Sequence, residues 1–206
     1  MDVTIFEILF SGIYVIIMWI IVLNMNDTVN KAYKYAFYSL MVGDIFHLGT
    51  RVLSVMGDYN LIYVGDIVTA IAFTSFTFFM LFVWGNTNYQ SKYDTWIVLI
   101  CMILILIRCV LLYSPFNNWG QYDFACIIRN TPLIVTQFII GYMMIVDNDK
   151  LFNTLGKLMV FAATLYAIVI LLLESYPMIG MLMIPKTTAY LLMAYFIKKH
   201  YERKIT

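Results

Sequence analysis

Charged residues are scarce in this sequence. Asp, Glu, Lys and Arg make up 12% of the 206 residues, whereas hydrophobic residues make up 63%. About a quarter of the residues in an average soluble domain are charged, so this composition excludes an ordinary soluble protein. It predicts an all-α, polytopic transmembrane bundle, and the length fits a single transmembrane helical domain over residues 1–206.

Cysteine and histidine are also rare, with three and two residues respectively. The cysteines form no CxxC pair and the histidines, His47 and His200, lie far apart. These spacings argue against a zinc or multi-histidine metal site, and we expect neither a metal nor another cofactor. A disulfide between Cys109 and Cys126 is left open.

Two further absences limit the function. The net charge is +1 and only the last few residues are markedly basic, so we expect no nucleic-acid partner. No Gly-x-Ser-x-Gly, HExxH or Asp-rich magnesium motif occurs. Whether the protein is an enzyme is therefore left open.

The apolar residues form long continuous runs. About 20 such residues span the hydrocarbon core of a bilayer as a helix. Clusters of Gly, Pro, Asn and Asp separate the runs, as expected of loops. By this criterion seven membrane-spanning helices are predicted at about 5–23, 33–56, 61–84, 95–113, 131–147, 157–175 and 178–197. The first run has Asp2 and Glu7 but no basic segment before it, so we interpret it as a retained helix and not as a cleaved signal.

The orientation follows from the distribution of Lys and Arg. The first, third and fifth loops and the C-terminal tail hold nine of the thirteen basic residues. Positive residues favour the cytoplasmic side, so the C-terminus is predicted to be cytoplasmic. Seven spans then place the N-terminus outside.

Several ionisable side chains fall inside or at the ends of the predicted spans. A charge at the centre of a membrane helix costs about 2.5–3.5 kcal/mol on insertion scales, so each needs a partner, water or a function. Helix direction places all of them in the outer half of the bundle except Asp44, which lies near the midplane. The set is Asp44, His47, Arg51, Asp66, Arg108, Glu174 and Lys186.

The second span carries three of these residues on one face. Asp44, His47 and Arg51 occur at i, i+3 and i+7, a helical spacing. Arg129 adds a further cation from the segment before the fifth span. We predict that these residues and the others in the set line an outward-facing polar pocket for a small polar or amphiphilic ligand, as in a receptor, sensor or carrier. Arginine would hold a carboxylate or phosphate of that ligand.

Two alternatives remain. In an intramembrane enzyme acting on a lipid or lipid-linked substrate, Asp44 and His47 would be acid and base, with Arg51 or Lys186 holding a phosphate. In a structural subunit of a membrane complex, or a homo-oligomer, the charges would only pair between helices, for example Asp44 with Lys186 and Arg51 with Asp66. In every case the lipid bilayer is a partner.

Four segments together resemble a family of small, uncharacterised bacterial membrane proteins with seven helices. The resemblance implies a bacterial cytoplasmic (inner) membrane protein and carries no activity with it. The segments are Gly43-Asp-Ile-Phe-His-Leu-Gly-Thr-Arg51, Arg108 with Asn117-Asn-Trp119, Arg129-Asn-Thr-Pro132, and Gly180-Met-Leu-Met-Ile-Pro-Lys-Thr187.

Four other families share less with the sequence. Ser39-Leu-Met-Val-Gly-Asp44 is similar to the Ser-x-x-Gly-Asp stretch of lysoplasmalogenases, but it has one extra residue and the later His/Tyr stretch is not evident. Lys186 in the last helix resembles the retinal lysine of microbial rhodopsins but lies nearer the outer end. Alkaline ceramidases and progestin-receptor-like proteins need several histidines for zinc, which this chain lacks.

The predicted orientation is testable with a topology reporter. Alkaline phosphatase or a fluorescent protein fused after Thr206 should report a cytoplasmic location, because the basic residues favour that side. A matched fusion, with the same reporter placed in the predicted outer loop after Asn118, should report the opposite side. An external readout after Thr206 would contradict the orientation.

Overall fold

The chain folds as a bundle of helices in a computed structural model that describes residues 3–55, 61–88, 92–119, 121 and 123–203. A 3₁₀ helix, Pro177–Leu182, precedes the last α-helix, and no strand occurs in these ranges. The α-helices are α1 Val3–Leu23, α2 Lys31–Val55, α3 Ile62–Asn88, α4 Lys92–Leu112, α5 Phe124–Val146, α6 Lys150–Leu172 and α7 Met183–Glu202. The all-helical fold class is therefore confirmed.

Five helices are long and apolar enough to cross a membrane, which is the hallmark of an integral membrane protein. They are α3 to α7, with the span at α7 including the 3₁₀ helix. The described apolar part of α1, Ile8–Leu23, is shorter. The 25 residues of α2 are long enough, but this helix is not among the five, because charged residues such as Asp44 and Arg51 make it more polar than the others.

Two helices begin earlier than the hydropathy pattern predicts. The predicted starts at 131 and 157 are each wrong by seven residues, since α5 begins at Phe124 and α6 at Lys150. An aspartate caps each start. Asp123 accepts a hydrogen bond from the Cys126 backbone N–H (2.9 Å), and Asp149 accepts one from Leu151 (2.6 Å). Such caps start a helix within polar sequence, outside the apolar run.

The start of the last span also differs from the prediction. A continuous helix was expected from 178, but Pro177–Leu182 forms a 3₁₀ turn and α7 follows it. Proline is favoured at the beginning of a helix because it has no backbone N–H to leave unpaired. As a result α7, which carries Lys186, begins at Met183 and not at 178.

The helices close into a ring. Each packs against its neighbour in sequence, α1 also packs against α7, and α3 packs against α5. Small residues permit the closest approaches: Gly43 of α2 faces Ala72 of α3, and Gly65 of α3 faces Thr50 of α2. A hydrogen bond from the Thr69 hydroxyl to the Gly43 carbonyl (3.1 Å) joins the same two helices. These contacts set the position of α2 against α3.

Gly156 provides a test of the packing between α5 and α6. A Cβ at this position would lie 2.5 Å from the Gly141 carbonyl oxygen and 2.8 Å from the Ile145 backbone nitrogen, and neither atom can move independently of α5. We expect Gly156→Ala to destabilise the protein by about 1–3 kcal/mol, a typical cost of overpacking.

The measurement is thermal unfolding of the purified protein in a neutral detergent. Gly49→Ala is the matched control, because a Cβ there has no neighbour within 4 Å. It should be neutral or stabilise the helix by about 0.5–1 kcal/mol. Equal unfolding midpoints for Gly156→Ala and the wild type would contradict the close α5–α6 contact.

Candidate functional site

A cavity of about 180 Å³ lies at the end of the bundle where α1 begins. Residues of α1, α2, α3, α5, α6 and α7 and of the segment between α4 and α5 form its wall. Six of the eight predicted site residues line it. They are Asp44, His47, Arg51, Asp66, Arg129 and Lys186. The face of α2 that carries the first three therefore points into the bundle, as predicted.

Lys186 is a nearly fully buried cation, with 4% of its surface exposed. Its Nζ lies 4.1 Å from the centre of the Tyr166 ring and 4.3 Å from that of Phe73. The Met183 sulfur is 3.6 Å away. Aromatic faces carry negative charge density and attract an ammonium group, most strongly where water is excluded. The two rings thus replace much of the hydration that burial removes from Lys186.

Asp44 supplies the negative charge that acts on Lys186. The Asp44 side chain also interacts with the Tyr14 hydroxyl, a hydrogen-bonding partner contributed by α1. Tyr14 itself is 5% exposed. Asp44 and Lys186 line the same cavity, but no direct ion pair joins them among the described residues, so their charges interact only through space.

A second pair of ionisable groups lies across the α2–α3 contact. His47 Nδ1 is 3.7 Å from an Asp66 carboxylate oxygen, and about a third of each side chain remains exposed. The sequence suggested Arg51 as the interhelical partner of Asp66, and it did not suggest His47. The geometry follows from the close α2–α3 packing at Gly65, which lies beside Asp66.

Arg129 lies in the second turn of α5, and not in a loop as the sequence suggested. Its guanidinium stacks on the Trp119 ring at 4.3 Å and donates a hydrogen bond to the Asn117 side-chain oxygen at 3.4 Å. Asn117 in turn donates to the Leu111 carbonyl (2.8 Å) near the end of α4. Only 6% of Arg129 is exposed. The α4–α5 segment is therefore held against the cavity by this stack.

Two predicted site residues lie elsewhere. Arg108 is 1% exposed and does not line the cavity; its guanidinium donates a hydrogen bond to the backbone carbonyl of Arg129. Its Nε has no hydrogen-bond partner among the described residues. Glu174 follows the end of α6, is exposed, and is not part of the cavity wall.

Asp123 caps the start of α5 and lies outside the candidate membrane spans. It accepts hydrogen bonds from the Cys126 backbone and from the Asn118 side chain (2.7 Å). These bonds, and then the nearby Arg129 charge, hold the pKa of Asp123 below its usual range. Asp123 therefore stays ionised to lower pH than a free aspartate. Cys109 and Cys126 are free thiols, so the disulfide left open by the sequence is not formed.

Three aromatic residues of the cavity wall were not predicted from the sequence. Tyr14, Phe73 and Tyr166 contact its charged groups, but 17% of the sequence is aromatic and no spacing distinguishes these three. Tyr166 also donates a hydrogen bond to the Asn130 side chain (2.9 Å), which fixes its ring beside Lys186.

Within the described part of the chain, no three His, Cys, Asp or Glu side chains are grouped as metal ligands would be. The site is instead a mixture of cations, carboxylates and aromatic rings around an unfilled volume. Comparison with protein-family models, curated proteins and solved structures gives no match for this chain.

If the charges of Asp44 and Lys186 interact, the effects of mutating the two residues on protein stability should not be additive. Lys186→Met should destabilise the protein by about 1–3 kcal/mol, because Asp44 then lacks the nearby positive charge in a partly buried site. Asp44→Asn combined with Lys186→Met should recover much of this loss, because neither charge then remains. Thermal unfolding of the two single variants and the double variant measures the coupling. Strictly additive losses would show that the two charges do not interact.

Proposed function

We propose that this integral membrane protein binds a small polar or amphiphilic ligand in the cavity between α1, α2, α3, α5, α6 and α7. One observation carries the proposal: charged groups of both signs surround a volume of about 180 Å³ that no side chain fills. Had the charges served only to hold the helices together, direct pairing would have closed this space.

The size and lining indicate what kind of ligand fits. A cavity of about 150 Å³ holds a molecule as large as benzene, so this one accommodates a small solute or the headgroup end of a larger amphiphile. The wall combines a few convergent polar groups with aromatic and aliphatic surface, such as Phe73 and Ile184. That combination is typical of ligand pockets. The cations favour a ligand with an acceptor group, and the carboxylates favour one with a donor.

The cavity and most of the basic residues lie at opposite ends of the bundle. The basic residues occur where α2, α4 and α6 begin and where α7 ends. If that end is cytoplasmic, the cavity faces the outside, as it would in a receptor, a sensor or a carrier that loads from that side. The resemblance of four segments to small bacterial membrane proteins supports a bacterial cytoplasmic membrane as its location.

An intramembrane enzyme is the second candidate. His47 lines the cavity while Nδ1 faces Asp66, and a carboxylate at one ring nitrogen is a common way to orient a catalytic histidine. Asp44 lies in the same wall, one helical turn away. A binding protein would retain a ligand unchanged, whereas an enzyme would release a product of different mass.

Native mass spectrometry of the purified protein tests the proposal through a variant that fills the cavity. Ala70 lines the cavity, so Ala70→Phe should occupy the space and remove co-purifying small molecules. Ile71→Phe is the matched control, because Ile71 is on the same helix but half exposed on its outer face. We expect wild type and Ile71→Phe to carry the same bound species and Ala70→Phe to lose most of it.

The alternatives give different results. Retention of the same species by Ala70→Phe would show that the cavity is not the binding site. If the wild type carries no species, and added lipid extract supplies none, the ligand-binding function fails and a structural role in a membrane complex becomes the better explanation. A time-dependent change in the mass of a bound lipid would favour the enzyme.

A further inference from the structure

Arg129 and Lys186 are the two deeply buried cations of the cavity. Lys186 is held between two aromatic rings. Arg129, with 6% of its surface exposed, has neutral contacts, namely the Trp119 ring and the Asn117 side-chain oxygen. An arginine this buried normally has an anionic partner, because desolvating an unpaired charge is costly.

The neighbouring acids are engaged elsewhere. Asp66 faces His47 across the α2–α3 contact. Asp123 acts on Arg129 only at a distance, since its oxygens already accept bonds from Cys126 and Asn118. The Arg108 guanidinium, which donates a hydrogen bond to the Arg129 backbone carbonyl, is a further cation nearby. Among the described residues, no ion pair joins Arg129 to a carboxylate.

We infer that Arg129 is the anion-binding group of the cavity and that the ligand carries a carboxylate or phosphate. The inference deepens the proposed function and rests on it. A guanidinium presents a planar fork of N–H donors that suits either anion, and stacking on Trp119 fixes the plane of that fork. The apolar wall at Phe73 and Ile184 receives the rest of the molecule. The anion belongs either to an amphiphile or to a small soluble acid.

Four probes separate the contribution of the charged group to binding from that of the alkyl chain. Octanoate and octan-1-ol have chains of equal length, but only octanoate is charged. Octyl phosphate carries a phosphate in place of the carboxylate, and acetate carries the carboxylate without the long chain. Purified protein in a neutral detergent is titrated with each probe. Octanoate and octyl phosphate are kept below their critical micelle concentrations. The readouts are the quenching of tryptophan fluorescence, to which Trp119 contributes from the cavity wall, and the shift of the thermal unfolding midpoint.

We expect octanoate and octyl phosphate to give saturable responses. Octan-1-ol should bind roughly tenfold more weakly or worse, because it cannot form a charge-assisted hydrogen bond with Arg129. Arg129→Gln should weaken octanoate binding to a similar extent, and Arg129→Lys should recover part of it because the charge remains without the fork. Lys157→Gln, which neutralises an exposed cation near the opposite end of the bundle, is the matched control and should bind octanoate as the wild type does.

The results distinguish an amphiphilic ligand from a small soluble acid and test whether Arg129 binds its anionic group. Octanoate binding without acetate binding supports an amphiphile, whereas equal affinities for the two support a small soluble acid. If octan-1-ol binds as tightly as octanoate, or Arg129→Gln binds octanoate normally, the inference is overturned while ligand binding stands. No saturable response of the wild type to any anionic probe also overturns it, and the mass-spectrometric experiment then decides the proposed function separately. Should Arg129→Gln not fold, the wild-type comparison of octanoate with octan-1-ol and the Arg129→Lys variant decide the matter.

Discussion

The cost of holding a charged group within an apolar bundle is the constraint on which this structure depends. Lys186 is 4% exposed on a helix apolar enough to cross a membrane. Its ammonium is stabilised by the faces of Phe73 and Tyr166 and by the charge of Asp44. The two rings come from α3 and α6, so the surroundings of this one cation bring α3, α6 and α7 together. The cavity is the space left among them.

Close backbone packing holds the other side of the cavity in place. Because Gly43 and Gly65 lack side chains, α2 and α3 approach closely, and the Thr69 hydroxyl bonds to the Gly43 carbonyl. Asp44 follows Gly43 and Asp66 follows Gly65 in the sequence, so the two carboxylates project from the tightest part of the helix pair. Small residues at a helix interface are a common way for membrane helices to associate without large apolar side chains. Here the same feature positions both acids of the site.

The helical bundle and the inward face of α2 could be predicted from the sequence, because long apolar runs and the i, i+3, i+7 spacing are local signals. By contrast, the sequence could not predict that Arg129 lines the cavity whereas Arg108 does not. Both were placed in the outer part of the bundle from sequence, but only the rotation of each helix about its axis decides whether a side chain reaches the cavity. That rotation depends on tertiary packing, such as the bond from Arg108 to the Arg129 carbonyl. The roles of Tyr14 and Tyr166 could not be predicted either, because aromatic residues are common throughout this sequence.

The aromatic contacts also bear on why the charged residues leave a cavity. A lysine and a carboxylate in direct contact would exclude other molecules and satisfy both groups. Lys186 instead faces two rings, which attract a cation but offer no hydrogen-bond acceptor comparable to a carboxylate. The Lys186 ammonium can therefore still donate hydrogen bonds, and the Asp44 carboxylate can still accept them. The Arg129 guanidinium can also donate further hydrogen bonds. Groups arranged in this way favour water or a ligand between them, and the aromatic walls favour a ligand that is itself partly apolar.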